Sequence, residues 1–255
     1  PRLLDELGAR SGYPQLLRER DAARAAGRLF GIGIGFFNEH SGTGSADYRR
    51  RGVTSIPGLD AARIQVTAEG RLVISTSAAE AGQGHAETYR LLANSELGIL
   101  PEQVDVVEGD TDLAPFGSGT FASRGAVGVT EAVVRCLRQV AAVDMAPGTD
   151  VIETVDPVQV FPSGAHLAVA EVDPVTLVAR VTRYVAIEDA GTILHPELAD
   201  AQVRGGVAMG IGDVLLEEHV YTEDGQLQTA TLLDYLVPLA TDVPAVEIHH
   251  LESPS

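Results

Sequence analysis

Three segments of this 255-residue chain combine residue types that could hold a ligand. Glu80-Ala81-Gly82-Gln83-Gly84-His85 lies between a strand-like and a helical stretch. Two glycines flanking a glutamine let the backbone pass close to a ligand, and the side-chain amide offers both a donor and an acceptor. A helix N-terminus at this point would also attract anions. An ordinary glycine-rich strand-to-helix turn accounts for the same residues equally well. The second segment is Asp110-Thr111-Asp112 with Gly117-Ser118-Gly119-Thr120-Phe121-Ala122-Ser123-Arg124-Gly125. Successive backbone N–H groups in such a turn form an anion nest, and the hydroxyls and Arg124 add phosphate donors. A surface loop is the alternative; the helical pattern that starts directly afterwards favours the nest. The third is Gln202–Gly212, where glycines recur inside a helical pattern. Each should cost up to about 1 kcal/mol relative to alanine, so something must approach that helix closely. Tight packing against a neighbouring element is the simpler account, and Gly206 and Gly210 stand four apart on one side.

Other chemistries are excluded. The chain carries 18 basic and 36 acidic residues, a net charge of −18, and every basic residue is arginine. Without lysine there is no Schiff base, no lysine general base and no P-loop. The acidic surface argues against a nucleic-acid backbone and against anionic lipid. Cys136 is the single cysteine, so no internal disulfide or multi-thiolate metal site exists, and its setting in Val133–Leu137 makes it a packed hydrophobe rather than a nucleophile. The histidines His40, His85, His166, His195, His219, His249 and His250 contain no HExxH pair, and His249 and His250 on a strand would point to opposite faces. There is no G-x-S-x-G elbow. Gly31-x-Gly33-x-Gly35 lacks the final glycine and helix of a dinucleotide fingerprint. No apolar run approaches a membrane span, and no signal peptide is expected. A chain that opens on Pro1 is read as processed or excerpted, and a cytoplasmic location is expected.

These segments need elements to position them. Residues 1–28 read as helix, broken at Ser11-Gly12-Tyr13-Pro14. Within Leu29–Phe37, glycine alternates with large apolar residues from Phe30 to Phe36, a strand with one bare face open to a close neighbour. Residues 38–61 read as loop. Ala62–Thr67 and Arg71–Thr76 form a hairpin, followed by a helix His85–Leu97, a strand Gln103–Val107 and a helix Val129–Val143. Residues 144–164, with Pro147, Pro157 and Pro162, read as a connection. Strands Ala165–Val172 and Val178–Ile187, a helix Ala199–Glu217, a hairpin Glu218–Thr222 with Gln226–Thr231, and a strand Ala245–His250 complete the pattern. Both halves run hairpin, loop, glutamine, helix, a weak internal echo. The class is α+β, with mixed sheets and packed helices in two similar halves. The expected divisions are a helical lead-in at 1–28, a first half at 29–145 and a second at 146–255.

The three segments in this order resemble the molybdenum-binding large subunit of the xanthine dehydrogenase / aldehyde oxidase / aerobic carbon monoxide dehydrogenase family. Gly82–His85, Ser95–Asp112, Gly117–Arg124, Phe161–His166, Asp189–Pro196, Gln202–Gly212, Asp224–Leu227 and Leu233–Pro238 carry the resemblance, which runs from about Gly27 to Ser255. It implies a molybdenum–molybdopterin cofactor, in the cytosine dinucleotide form, with no protein ligand directly on the metal. Gln83 and Gln202 would hydrogen-bond the pterin and the oxygens on the molybdenum side, with Gly84 and His85 beside them. Ser118, Gly119, Thr120, Ser123 and Arg124 would wrap the phosphates. The implied reaction is oxidation of an aldehyde, an N-heterocycle or carbon monoxide with water as oxygen source. The implied partners are FAD-binding and iron–sulfur (2Fe-2S) subunits or domains, the rest of the large subunit, and a second copy in a homodimer.

The chain departs from the family pattern in four places. The catalytic glutamate of a Gly-x-Gly-Glu segment would follow Ser255, so no catalytic residue is assigned among these 255. The family's upstream half is absent, the stretch between the Cys136 helix and Phe161-Pro162 is short, and Met209 stands where many relatives have glutamine. By itself the chain is expected to be inactive. The short stretch and Met209 favour the rival reading, a non-catalytic remnant or an assembly and partner-binding protein of the same fold.

Overall fold

Leucines at helical spacing make Arg2–Ser11 a helix (α1), and Tyr13–Ala25 a second one (α2) with a proline in its first turn. Leu29–Asn38 is the alternating strand β1. Then come a short helix α3 (Ser45–Arg50), the hairpin β2 (Asp60–Val66) and β3 (Leu72–Thr76), α4 (His85–Leu97) and β4 (Val104–Val107). A π-helical turn, Gly125–Val129, leads into α5 (Thr130–Ala142) and β5 (Asp150–Val155). The hairpin β6 (Ser163–Val172) and β7 (Ala179–Asp189), α6 (Pro196–Leu215) and β8 (Val246–His250) follow. This computed structural model describes residues 2–254. It divides into unit 1, Pro1–Asn38 with Pro162–Ser255, and unit 2, Glu39–Phe161.

Each unit holds one four-stranded sheet, and the fold is α+β as expected. Unit 2 has the strand order β4-β3-β2-β5 and unit 1 the order β1-β6-β7-β8. In both, an antiparallel hairpin forms the middle. A crossover helix, α4 or α6, leads from its second strand to a parallel neighbour, β4 or β8. An antiparallel strand, β5 or β1, closes the other edge. That edge strand follows the hairpin in unit 2 and precedes it in unit 1. The two paths are therefore circular permutations of one topology, which is the physical content of the echo in the sequence.

The core of unit 2 lies between the hairpin and two helices. Ala62, Ile64, Val66, Leu72 and Ile74 meet Tyr89 and Ala93 of α4 and Val133, Cys136, Leu137 and Val140 of α5. Cys136 is packed as expected, and burial pushes its thiol up to about 12, which leaves it unreactive. In unit 1, Leu7 and Leu16 pack on Ala165, Leu167, Val169, Val185 and Ile187. No helix among the described residues is long and apolar enough to cross a membrane.

Several sequence expectations change. The stretch 144–164 is not only a connection: β5 lies inside it, between Pro147 and Pro157, and pairs along β2. The prolines bound that edge strand rather than forbid it. The loop 38–61 contains α3. The helix expected at 199–217 is Pro196–Leu215, begun by Pro196 with the His195 ring accepting the Leu198 N–H at 3.4 Å. The hairpin expected across 218–231 is reduced to a single bridge, Tyr221 with Leu227. The grouping also differs from the expected 29–145 and 146–255, because β1 pairs along its whole length with β6. His249 and His250 do face opposite ways, toward Arg10 of α1 and Asp200 of α6.

Ile74 is fully buried at the centre of the unit 2 core. Ile74→Ala should lower stability by about 2–5 kcal/mol, read as a lower urea midpoint at unchanged slope.

Candidate functional site

Two loops come together beyond the carboxyl ends of the parallel strands β3 and β4, a place where open α/β sheets commonly bind ligands. One, residues 77–84, leads into α4; the other, residues 108–124, leads into the π-helical turn and α5. Thr120 ties them, since its hydroxyl accepts the Ala79 N–H and donates to the Ala79 carbonyl, both at 2.8 Å. Gly117 lies so close to Ser77 that a Cβ there would overlap the serine side chain, and the Ser118 N–H donates to the Leu59 carbonyl at 2.7 Å.

The second loop is held from beneath by a buried ion pair. Arg124 and Asp60 both have fully buried side chains. The guanidinium grips the carboxylate through Nε at 2.9 Å and Nη2 at 3.0 Å. It also donates to the carbonyls of Gly58, at 2.9 Å, and Thr43, at 3.3 Å, and lies 5.1 Å from the centre of the Phe121 ring. Gly128 admits this arrangement, because a Cβ there would run into the Asp60 carboxylate. The expectation that Arg124 is a phosphate donor is corrected here. Its guanidinium is spent on an internal carboxylate and two carbonyls, and its task is to fix the loop to the start of β2.

The backbone above this pair keeps the character of a nest. Ala122 and Ser123 have positive φ, 50° and 53°, and Arg124 returns to right-handed geometry at φ −88°. Such strain in non-glycine residues concentrates at functional sites, and alternating handedness is what lines up N–H groups for an anion. The Ser118 Oγ is buried with no hydrogen-bond partner among the described residues. A buried, orphaned hydroxyl beside a strained turn fits an oxygen-rich group such as a phosphate.

The first loop is folded around an acidic side chain. One oxygen of Glu80 accepts the N–H groups of Gly82 at 2.7 Å and Gly84 at 3.1 Å; the other accepts that of His85 at 2.7 Å. Desolvation works against this carboxylate, but the three backbone donors and nearby His85 together hold it below the ordinary range. The positive end of α4 is thus filled by the protein's own carboxylate, not left for a ligand anion. Gln83 folds its carbonyl oxygen back onto the Ala81 N–H at 2.6 Å, and its amide nitrogen makes no bond among the described residues. The amide proposed as a clamp therefore presents its donor end.

His85 links the loop to the strands. Its Nδ1 lies 3.2 Å from Glu108, which also accepts from the Thr76 hydroxyl at 3.0 Å. Its Nε2 sits close to Gly125. The hydrogen bond to Glu108 raises the imidazole above its usual value, against desolvation, with Glu108 and Glu80 adding Coulombic support. Glu80, His85 and Glu108 bring ligand-type atoms within 4.8 Å of one another, close enough to hold a metal ion. The N-terminal end of α4, where these groups meet, disfavours a cation. Nearby Tyr89 is buried, and desolvation, then Glu108, raise its phenol, so it stays neutral.

Gln202 and the glycine-rich helix belong to unit 1. Gln202, Gly205, Gly206, Met209 and Gly210 are exposed on α6, and a Cβ at Gly205, Gly206 or Gly210 would meet nothing within 4 Å. The tight packing expected for the glycines of this helix holds at Gly212, where a Cβ would run into Glu217 and Pro238, and not at Gly205, Gly206 or Gly210. Sequence reasoning missed Glu80, Glu108 and Asp60 as structural partners of the site. Glu80 stood in the quoted motif, but nothing in its spacing showed that its carboxylate would turn back onto the loop. It also missed a cluster in unit 1, where His166 Nε2 meets Glu188 at 2.7 Å and Nδ1 meets the Tyr184 hydroxyl at 3.0 Å. The signal for that cluster was cross-strand parity on one face of a hairpin.

The chain as a whole is similar to known proteins. A family model, the molybdopterin cofactor-binding domain, matches residues 6–143 and 148–244, and this chain belongs to that family. It is a portion of a molybdenum-binding large subunit. The nicotine 6-hydroxylase large subunit of Paenarthrobacter nicotinovorans is 30% identical across 99% of this chain and 37% of its own length. The carbon monoxide dehydrogenase large chain of Afipia carboxidovorans is 26% identical, across 96% and 37%. Among solved structures, quinoline 2-oxidoreductase from Pseudomonas putida 86 superposes with a TM-score of 0.89 at 31% identity, covering all of this chain and 39% of its own. The chain thus spans somewhat over a third of the length of these relatives.

Two outcomes test the site's construction. Arg124→Met leaves the Asp60 carboxylate buried and unpaired and should cost about 3–5 kcal/mol, while Arg124→Met with Asp60→Leu should recover much of it, both by urea unfolding. For His85, the stabilising pair with Glu108 is fully present below the ordinary imidazole value of about 6.5 and is lost as pH rises through the raised folded value. Glu80 behaves oppositely, losing its contribution as pH falls through its depressed value. The His85 ring signals in NMR should therefore titrate above 6.5 and shift down in Glu108→Gln; a midpoint at or below 6.5 in the wild type contradicts the pairing.

Proposed function

We propose that this chain is the cofactor-holding portion of a molybdenum hydroxylase large subunit that oxidises an N-heterocycle, an aldehyde or carbon monoxide with water as the oxygen source. The orphaned Ser118 hydroxyl beside the strained Ala122–Ser123 turn carries the reading, since it fits the phosphates of a molybdopterin dinucleotide. When bound, that cofactor supplies the two-electron redox chemistry. The protein's part is to bind and orient it. Ser118, Gly119 and Ser123 contact the phosphates, with Thr120 holding the two loops together and Arg124 anchoring from below. The Gln83 amide nitrogen donates to the pterin from a loop shaped by Glu80, with Gly84 and His85 setting its exit into α4. Gln202, on α6, is assigned a pterin contact on the family resemblance. The cytosine dinucleotide form, and electron transfer to partner subunits bearing FAD and 2Fe-2S clusters, belong to the same reading. These 255 residues contain no Gly-x-Gly-Glu segment to supply a base, so turnover requires that segment from elsewhere.

The test is molybdenum and nucleotide analysis of the large subunit carrying these residues. The wild type should retain molybdenum and release a cytidine nucleotide. Gln83→Ala should retain about tenfold less at limiting cofactor, the equivalent of one hydrogen bond of about 1.4 kcal/mol. Retention unchanged in Gln83→Ala, or metal-free and nucleotide-free wild type, removes the reading.

A further inference from the structure

His85 stands with two acidic side chains that the fold brings together from different elements. Glu80 comes from the loop after β3 and Glu108 from just beyond β4. One ring nitrogen of His85 and one oxygen from each carboxylate lie within 4.8 Å of one another. The Glu108 side chain is only 7% exposed, so little water separates these groups. Glu108 holds the ring through Nδ1, and Glu80 holds the His85 N–H. Two carboxylates this close repel unless a positive charge lies with them. No arginine supplies it: Arg124, at the end of the neighbouring loop, is spent on Asp60, and Arg90 of α4 pairs with Glu87. Asp110 and Asp112, beyond Glu108, are exposed and add only negative charge. Among the described residues, the His85 imidazolium is the one cation facing the cluster.

The stretch this cluster governs is short and hinged. Thr120 fixes Ala79 on both its N–H and its carbonyl, and α4 begins at His85. Between these points the chain is held by Glu80, which accepts the N–H groups of Gly82, Gly84 and His85, and by the Gln83 side chain on the Ala81 N–H. Gly82 and Gly84 have φ of 103° and 76°, so the backbone on either side of Gln83 can turn where other residues would be strained. We infer that the proton on His85 is a latch on residues 80–84. With it, the two carboxylates are bridged and the loop is closed; without it, they face each other uncompensated and the loop swings out, carrying Gln83 away.

Each partner fits its part. Against desolvation, three N–H donors hold Glu80 below the ordinary carboxylate range, so it keeps its charge when the ring loses its own. The positive end of α4 works against a charged ring, but Glu80 already offsets that end. The bond to Glu108 raises the imidazole against desolvation, so the latch is closed below about pH 6.5 and opens as pH rises through the raised value. Tyr89 serves the open state. Its hydroxyl is buried with no partner among the described residues, near Glu108 and Thr76, and desolvation keeps the phenol neutral. Once the imidazolium is gone, that hydroxyl is a donor for Glu108 beside the one Thr76 already gives. The latch needs no ligand; its consequence for a cofactor, withdrawal of the Gln83 amide, rests on the function proposed above.

Hydrogen exchange read by mass spectrometry, on the large subunit carrying these residues, tests the latch. After correction for intrinsic rates, a peptide covering residues 80–85 should lose about tenfold of its protection between about pH 6 and about pH 9, while peptides from α5 keep theirs. Glu108→Gln removes one of the repelling charges, so the loop should stay protected at both pH values; a role in packing alone predicts low protection at both. His85→Gln has no proton to lose and should be poorly protected throughout. Constant wild-type protection, a loss that α5 shares, a Glu108→Gln protein that opens, or a His85→Gln protein that stays closed overturns the latch. None of these readouts involves the cofactor, so the latch and molybdenum retention can fail separately.

Discussion

The buried pair of Asp60 and Arg124 is the constraint on which the candidate site depends. Two charges removed from water are tolerable only when each is satisfied, and here one guanidinium serves a carboxylate and two carbonyls from separate stretches of chain. The pair sits under a loop that otherwise has little to hold it, since residues 109–124 contribute no regular element before the π-helical turn. The strained backbone at Ala122 and Ser123 can persist because the next residue is locked in place. Gly128 and Gly117 are consequences of the same anchoring: the loop lies so close to Asp60 and Ser77 that side chains at those glycines would collide.

The second organising fact is the shared topology of the two units. A hairpin, a crossover helix to a parallel strand and an antiparallel edge strand occur in each, entered at different points of the cycle. The permutation explains why the likeness is faint in the sequence. Equivalent strands do not occur in equivalent order, so a fixed repeat period never arises. It also explains why the two hairpins have different surroundings. In unit 2 both helices share one face, and the opposite face is a polar ladder in which Arg63 pairs with Asp150 and Arg71 with Asp105. In unit 1 the helices are divided between the faces, so both must be apolar.

Much of this was legible from residue spacing. The His85–Leu97 helix, the first hairpin and the β1 strand follow from strong periodicity, and the boundaries agree closely with the structure. What failed had identifiable causes. Pro147 and Pro157 read as loop signals, yet an edge strand of six residues fits between them, because a strand paired on one side tolerates flanking prolines. Residues 218–231 alternate like a hairpin, but only Tyr221 and Leu227 bridge, since nothing among the described residues covers Leu232 or Leu233. For the candidate site, the hydroxyl-rich turn and Gln83 were singled out by residue type. Arg124 was misread because an arginine in a nest and an arginine beneath one are identical in sequence; the distinguishing partner, Asp60, lies 64 residues away.

That misreading changes the physics of recognition. With Arg124 neutralised by Asp60 and the end of α4 occupied by Glu80, the loops 77–84 and 108–124 offer a ligand no free positive charge. In a chain of net charge −18, long-range attraction for an anion is absent as well. An anionic dinucleotide would then be bound by neutral donors: backbone N–H groups, serine hydroxyls and an amide. Such donors are individually modest, and they act only if they converge before the ligand arrives, because no Coulombic pull compensates for poor geometry. A rigid buried ion pair is therefore more useful beneath the nest than an exposed arginine would be within it. It converts charge, which the acidic surface would weaken and salt would screen, into fixed positions, which neither affects.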